Sequence, residues 1–473
     1  MPPAPVIIPP PRPSSRWPEA RLAGFITVVY ILYLLTSPYQ HLYYDAELYW
    51  QLGHRFYEQG RFNLLAYDDT LRGYSYPLLN FVCLALRKAL HLEAVTVVKL
   101  LNAGLAGLLF GVVGPRLWQA ATGAARLPSV GRRLLWAGLS FVFWRDYFNF
   151  SLSDFPALLA LGGALWQAQR PGKWAALLAG TALALALNVR PIYLASAVPV
   201  VGLLLLAIRR AAWLPRLVVF TLGAALVLTP QWLINRRHFA ANTPLVLSES
   251  RELDIHNLYL QKLKWGLLHL KYESSVGRGL PTGQLLFLSA PGAAVLRAER
   301  LSEFDSPAQY LRTLAHHPGV VASVYAQHLF AGLDSSHPTP YLRQWVPSVW
   351  FRALNYSLWF WAALVVLAAG RPTWRTGLVL AALLLPCLAV VPLSMEVRFL
   401  LPLHLLLLAL VAFGRGPGWA LGGRRWLVTG AAYGLFLGGC FMLSAHILQT
   451  VEPRFRPFLL PRTLSIIVDS GSR

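Results

Sequence analysis

The chain has 473 residues, of which 56% are hydrophobic and only 13% charged. Soluble domains carry about 25% charged residues, so a water-facing surface of this size is excluded. The net charge of +22 does not point to nucleic acid, because the basic residues fall in short clusters between apolar runs and form no continuous basic face.

Taken in chain order, Met1 to Pro18 is Pro-rich and is expected to be disordered. The first apolar run has no small-residue cleavage site after it and reads as a retained helix. Spanning helices are predicted at 22–37, 94–114, 133–146, 155–169, 174–189, 191–208, 214–234, 348–369, 376–393, 398–414 and 426–447. These runs approach the ~20 residues a spanning helix needs, and the alternating segments of a barrel are not seen. The fold class is therefore all-α, a polytopic integral membrane protein with about eleven transmembrane helices and outer-face interfacial helices. The third to fifth runs are short and call for apolar flanks or a thinned bilayer.

The positive-inside rule sets the orientation. With the N-terminus cytoplasmic, the inner connections carry Arg116, Arg126, Arg132 and Arg133; Arg170 and Lys173; Arg209, Arg210 and Arg216; Arg371 and Arg375; Arg415, Arg424 and Arg425. Of 20 acidic residues only Glu19 falls inside. Three outer segments follow: 38–93, the short turn 147–154, and 235–347. Within the first, 77–90 is too short to span and reads as a helix lying in the interface; counting it as a span would invert everything after it. The segment 235–347 is too long for a structureless loop. It shows no strand alternation and is expected to fold as short amphipathic helices, with His256, His316 and His317 as candidate participants. The remainder, 448–473, is an outer-face tail. Cys83, Cys387 and Cys440 lie in apolar runs without metal spacing and read as core residues.

Ionisable groups at membrane depth are functional candidates. Asp45 and Glu47 sit among Tyr43, Tyr44, Tyr49 and Trp50 directly after the first helix, where a carboxylate can act as general base on an incoming hydroxyl. An aromatic belt with solvated acids is the structural alternative. Asp154 opens the fourth helix, placed as its N-cap with Pro156 in the first turn. Arg145 and Asp146 are expected to pair. Arg190 breaks the orientation pattern and suits bidentate phosphate binding; snorkelling is the alternative. Glu396 and Arg398 open the tenth helix and either pair with each other or serve the same outer site. Acids and arginines on one side of the membrane suggest a phosphate-bearing lipid donor and an acid/base step.

The order of these motifs resembles the GT-C superfamily of membrane glycosyltransferases, nearest to the bacterial branch of protein mannosyltransferases and the lipid A aminoarabinose transferase. The residues that carry it are Asp45-Ala46-Glu47-Leu48-Tyr49-Trp50, Tyr76-Pro77-Leu78, Ser153-Asp154-Phe155-Pro156-Ala157-Leu158, Arg190-Pro191, Pro230-Gln231-Trp232-Leu233-Ile234-Asn235-Arg236 and Arg398-Phe399-Leu400-Leu401-Pro402. Ala46 separates acids that are adjacent in the family, and the Arg-Asn order after Trp232 is not kept. The resemblance implies an inverting transfer of a sugar from a polyprenyl-phosphate carrier to a lipid, glycan or protein acceptor at the outer face of a bacterial inner membrane. Asp45, Glu47 and Asp154 would be the catalytic acids, Arg190 and Arg398 the donor-phosphate ligands, and Tyr44, Tyr49, Tyr76 and Glu396 the cavity wall. No cofactor is read from the residues, and a divalent metal stays an open alternative. The competing class is a polytopic transporter, or a lipid-linked glycan flippase or ligase. Against a transporter stand the lack of a visible repeat and the long outer segment.

Overall fold

The computed structural model describes residues 17–206, 213–250, 255–277, 280–343, 347–416 and 424–454. The Pro-rich start, the Arg209–Arg210 cluster and most of the C-terminal tail lie outside them. The chain is mostly helical. In order come α1 (Trp17–Thr36), α2 (Asp45–Leu52), α3 (Ser75–Leu90), α4 (Ala94–Leu108), α5 (Gly114–Thr122), α6 (Val130–Trp144), α7 (Asp154–Ala168), α8 (Lys173–Val189), α9 (Ala197–Leu206) and α10 (Trp213–Phe239). A π turn at Leu109–Val113 joins α4 to α5 in one long helix. Then follow α11 (Leu258–Leu268), α12 (Ala290–Ala298), α13 (Pro307–His316), α14 (Pro318–Leu333), α15 (Val349–Ala368), α16 (Trp374–Val390), α17 (Leu401–Phe413) and α18 (Arg425–Ile447).

Among the described residues five helices are long and apolar enough to cross a membrane: Glu19–Thr36, Ala94–Thr122, Trp213–Phe239, Val349–Ala368 and Arg425–Ile447. The other six predicted positions are helical but shorter, at α6, α7, α8, α9, α16 and α17. Large apolar side chains such as Phe25, Leu32, Leu222, Leu226, Leu435 and Met442 stand exposed. In water such a surface would drive association; against lipid tails it is the natural one.

The two ends of the bundle differ in chemistry. At one end arginines bind the backbone carbonyls left over at helix C-termini. Arg132 donates to the carbonyls of Phe413 (2.9 Å) and Gly414 (3.2 Å). Arg216 donates to the carbonyl of Ala168 (2.9 Å), and Arg116 pairs with Glu19. The opposite end holds α2, α3 and the long segment after α10. Between the ends, the Trp144 indole donates to His404 Nδ1 (3.1 Å). Since an indole only donates, His404 carries its proton on Nε2 and donates it to Asn355 Oδ1 (3.0 Å).

The long segment departs from expectation. Helices α11 to α14 are present, but between α11 and α12 the chain forms the antiparallel pair β3 (His269–Gly277) and β4 (Leu280–Leu288). The strands β5 (Tyr341–Leu342) and β6 (Val451–Arg454) complete a sheet of order β5-β3-β4-β6. A small hairpin, β1 (Tyr57–Glu58) with β2 (Arg61–Phe62), lies earlier in the chain. Alternation failed to announce β3 because both its faces are covered: His269, Leu270 and Lys271 are buried in succession. The sheet also reaches the bundle. Tyr272 N donates to the Met395 carbonyl (2.9 Å) and Met395 N to the Leu270 carbonyl (3.3 Å), so the backbone at Met395, three residues before Arg398, pairs with β3.

Candidate functional site

Local sequence sets each charged side chain before any tertiary contact is made. Pro191 disfavours helical backbone at the residue before it, and Arg190 is extended (φ −142°, ψ 104°) where α8 ends. Glu396 is likewise extended, and a 3-10 turn at Val397–Leu400 carries Arg398 into α17, with Pro402 in its first turn. Asp154 is the first residue of α7, and the preceding Ser153 makes no side-chain cap. The expected N-cap role for Asp154 is thus corrected: its carboxylate is engaged elsewhere. Tyr44, before α2, has φ 48° and ψ −124°, a conformation a bulky residue adopts only when its surroundings hold it. They do: its hydroxyl lies 2.8 Å from the Ser275 carbonyl and 2.9 Å from the Gly283 carbonyl, and accepts from Gly283 N at 3.2 Å. The β3–β4 pair therefore sets the start of α2, and with it Asp45.

Residues from six separate stretches meet in one cluster. Arg398 lies 2.6 Å from Asp45 Oδ2, 3.5 Å from Asp154 Oδ2 and 2.8 Å from Glu396 Oε2, one contact for each of its nitrogens. Arg190 pairs with the other oxygen of Asp154. Glu396 also accepts from the Tyr272 hydroxyl (2.8 Å). Arg72, which the sequence reading missed, approaches Asp45 Oδ1 at 3.8 Å and lies over the Tyr49 ring at 5.7 Å. Burial alone would raise the Asp45 pKa, but Arg398 and Arg72 outweigh it and hold the carboxyl well below its ordinary range. Glu47 is different: burial raises it, and its one hydrogen bond comes from Gln51 Nε2 (2.9 Å). It is not part of the arginine cluster.

A polar ladder positions Arg72. Asn188 accepts from Ser75 N (2.9 Å) and donates to Gln231 Oε1 (2.8 Å), which also accepts from Tyr74 N (3.2 Å). Gln231 in turn donates to Asn235 Oδ1 (2.9 Å). Gly73 lies so close to Asn188 that a Cβ there would collide with it. Asn188, together with Gln231 and Asn235 of the Pro230–Arg236 motif, thus fastens the turn that aims Arg72.

A cavity of about 1860 Å³ opens beside the cluster. Asp45, Glu47, Tyr44, Tyr49, Arg72, Arg190, Lys262 and Arg398 line it, and Val189, Ile192, Val390, Leu393 and Phe399 form an apolar wing. Asp154 (1% exposed) lies beneath the arginines and outside the lining. Two expected wall residues also stand elsewhere. Tyr76 is buried against Ser151 Oγ (3.1 Å), and Glu396 faces a separate small pocket with Glu273 and His337. Arg145 and Asp146 do not pair directly. The Tyr33 hydroxyl bridges them, donating to Asp146 Oδ1 (2.6 Å) and accepting from Arg145 Nε (3.1 Å). His316 and His317 both contact Glu299 Oε1 at 3.0 Å and, like His256, do not line the cavity. Among the described residues no three of His, Cys, Asp and Glu form a metal-holding group. The three cysteines are buried and free.

No family model, curated protein or solved structure matches this chain.

Proposed function

We propose that this chain is a membrane glycosyltransferase of the GT-C type. It moves a sugar, with inversion, from a polyprenyl-phosphate carrier to a hydroxyl of an acceptor at the outer face of a bacterial inner membrane. In this reading the helices make about eleven crossings, the N-terminus is cytoplasmic, and the cavity opens outward. One observation carries the reading: a carboxylate held among cations at a cavity with an apolar wing, all assembled from segments far apart in the chain.

Each part has a chemical task. The apolar wing takes the first isoprene units, and the cations meet the phosphate, whose charge grows as the glycosidic bond breaks. Asp45 takes the acceptor's proton as the new bond forms. Arg398 and Arg72 stabilise the Asp45 anion and so make it a weak base. A phosphate that draws on Arg72 loosens part of that hold and raises its basicity, so donor binding primes the base. Asp154, buried below, keeps Arg190 and Arg398 in place and is a positioning residue.

The test is sugar transfer in membranes supplied with a radiolabelled polyprenyl-phosphate sugar, beside mass spectrometry of glycolipids and glycoproteins from a deletion strain. A glycan that disappears on deletion and returns with the wild-type gene supports transfer. An unchanged glycan profile, with movement of lipid-linked sugar across the membrane instead, would replace the transferase with a flippase.

A further inference from the structure

Three carboxylates and four cations meet at the site: Asp45, Asp154 and Glu396 against Arg72, Arg190, Lys262 and Arg398. The pairing among them is uneven. Arg398 spends each of its nitrogens on a carboxylate, and Arg190 is neutralised by Asp154. Those two arginines are spent on three acids. Arg72 and Lys262 are held more loosely: Arg72 has Asp45 and Asp69 as acidic neighbours without a close side-chain contact, and Lys262 has Asp45 alone. Arg72 reaches Asp45 only at 3.8 Å. Lys262 forms no ion pair among the described residues.

Helix geometry places Lys262 in the cavity. Along α11, Leu258, Gln261, Lys262 and Trp265 line it, while Leu260, Leu263 and Leu267 are buried on the other face. Asn257 caps the helix by accepting from Tyr259 N and Leu260 N. At Gly266 the backbone of residues 392–393 comes so close that a Cβ would strike the Pro392 carbonyl. The helix is thus set against the chain just before Arg398, and Lys262 cannot turn away without losing that seat.

We infer that the donor's phosphate docks between Arg72 and Lys262, and that Arg190 and Arg398 serve the carboxylates instead of the phosphate. This rests on the donor reading above and names the residues within it. Lysine suits the role as a mobile point charge, and Arg72 as a fixed fork held over Tyr49. The field around Lys262 supports the assignment. Burial first, then repulsion from Arg72, lower its pKa to about 8; Arg190 and Arg398 push the same way, and Asp45 alone opposes them. An anion arriving between Arg72 and Lys262 relieves that repulsion. Binding then favours the ammonium form, so affinity is greatest below about pH 8 and falls above it as the free amine gives up its proton.

The experiment uses the purified full chain in nanodiscs with farnesyl phosphate as probe, and farnesol and inorganic phosphate as separate arms. Titration calorimetry is run at pH 7 and pH 9, with thermal unfolding of each variant alongside. Wild type should bind farnesyl phosphate better than either arm and bind it more weakly at pH 9. Lys262→Met should lose about tenfold or more, the value of one charge-assisted contact, with unfolding unchanged. Lys262→Arg should bind at both pH values without the drop. Wild-type affinity in Lys262→Met, or the same drop in Lys262→Arg, overturns the assignment while leaving the donor reading intact. Equal binding of inorganic phosphate overturns a lipid source. No binding of farnesyl phosphate by wild type at either pH removes the donor reading itself.

Discussion

Both ends of the helix bundle are built around arginine, and the contrast between them is instructive. At one end Arg132 and Arg216 bind helix C-terminal carbonyls, and Arg116 meets Glu19 at the edge of α1. There the cations complete the helices, and their charge is met by dipoles already present. At the other end Arg398 binds no carbonyl; it gathers three carboxylates, two of them nearly buried, beside a large cavity. Burying that many charges is expensive for folding alone. One arrangement is explained by stability, while the other fits the ligand site proposed above.

Four variants test the contrast, from the greatest consequence to the least. Asp45→Asn should abolish transfer, about a hundredfold to ten-thousandfold in rate; the nearly isosteric side chain keeps the chain folded, with some stability lost because the ion pairs to Arg398 and Arg72 go. Wild-type turnover would pass the role of base to Glu47, another acid in the cavity wall. Arg398→Ala should cost about 3–5 kcal/mol of stability, because it strands buried carboxylates; denaturant unfolding in detergent reads this, and transfer is lost with it. Arg132→Ala should cost no more than about 1 kcal/mol and leave transfer untouched. A strong loss of transfer there would erase the distinction between the ends. The smallest effect is expected at Glu47. Its folded carboxyl holds its proton more tightly than an ordinary glutamate because burial raises its pKa. Stability should therefore fall as pH rises from the ordinary glutamate value through the raised one. Glu47→Gln should flatten that part of the stability–pH curve, and an unchanged slope would place the titration elsewhere.

Much of this was legible in the residues. The helix positions followed from apolar run length, and Asp45, Arg190 and Arg398 stood out as charges in apolar or aromatic surroundings. Their meeting was foreshadowed by common sidedness, since outer connections share one end of the bundle. Two things were not legible. The β3–β4 pair is covered on both faces, so period-two alternation is lost. Arg72 and Lys262 lie in segments where charge is ordinary; nothing local marks a lysine on α11 as facing a cavity. The one available signal was the run Arg72-Gly73-Tyr74-Ser75-Tyr76-Pro77, where a glycine beside a charged residue marks a close backbone approach. Asp154 and Tyr76 were placed in the right region but on the wrong layer, because sequence gives sidedness without depth.

The Asp45–Arg398 contact joins residues 353 positions apart. Chains are made from the N-terminus at ~5–20 residues per second, so the guanidinium reaches the carboxylate roughly 18–70 s after it. During that interval Asp45 lacks its main counter-charge. In the proposed reading the ion pair acts as a completion mark: only a chain with almost all of its helices made can hold Asp45 in the geometry described above.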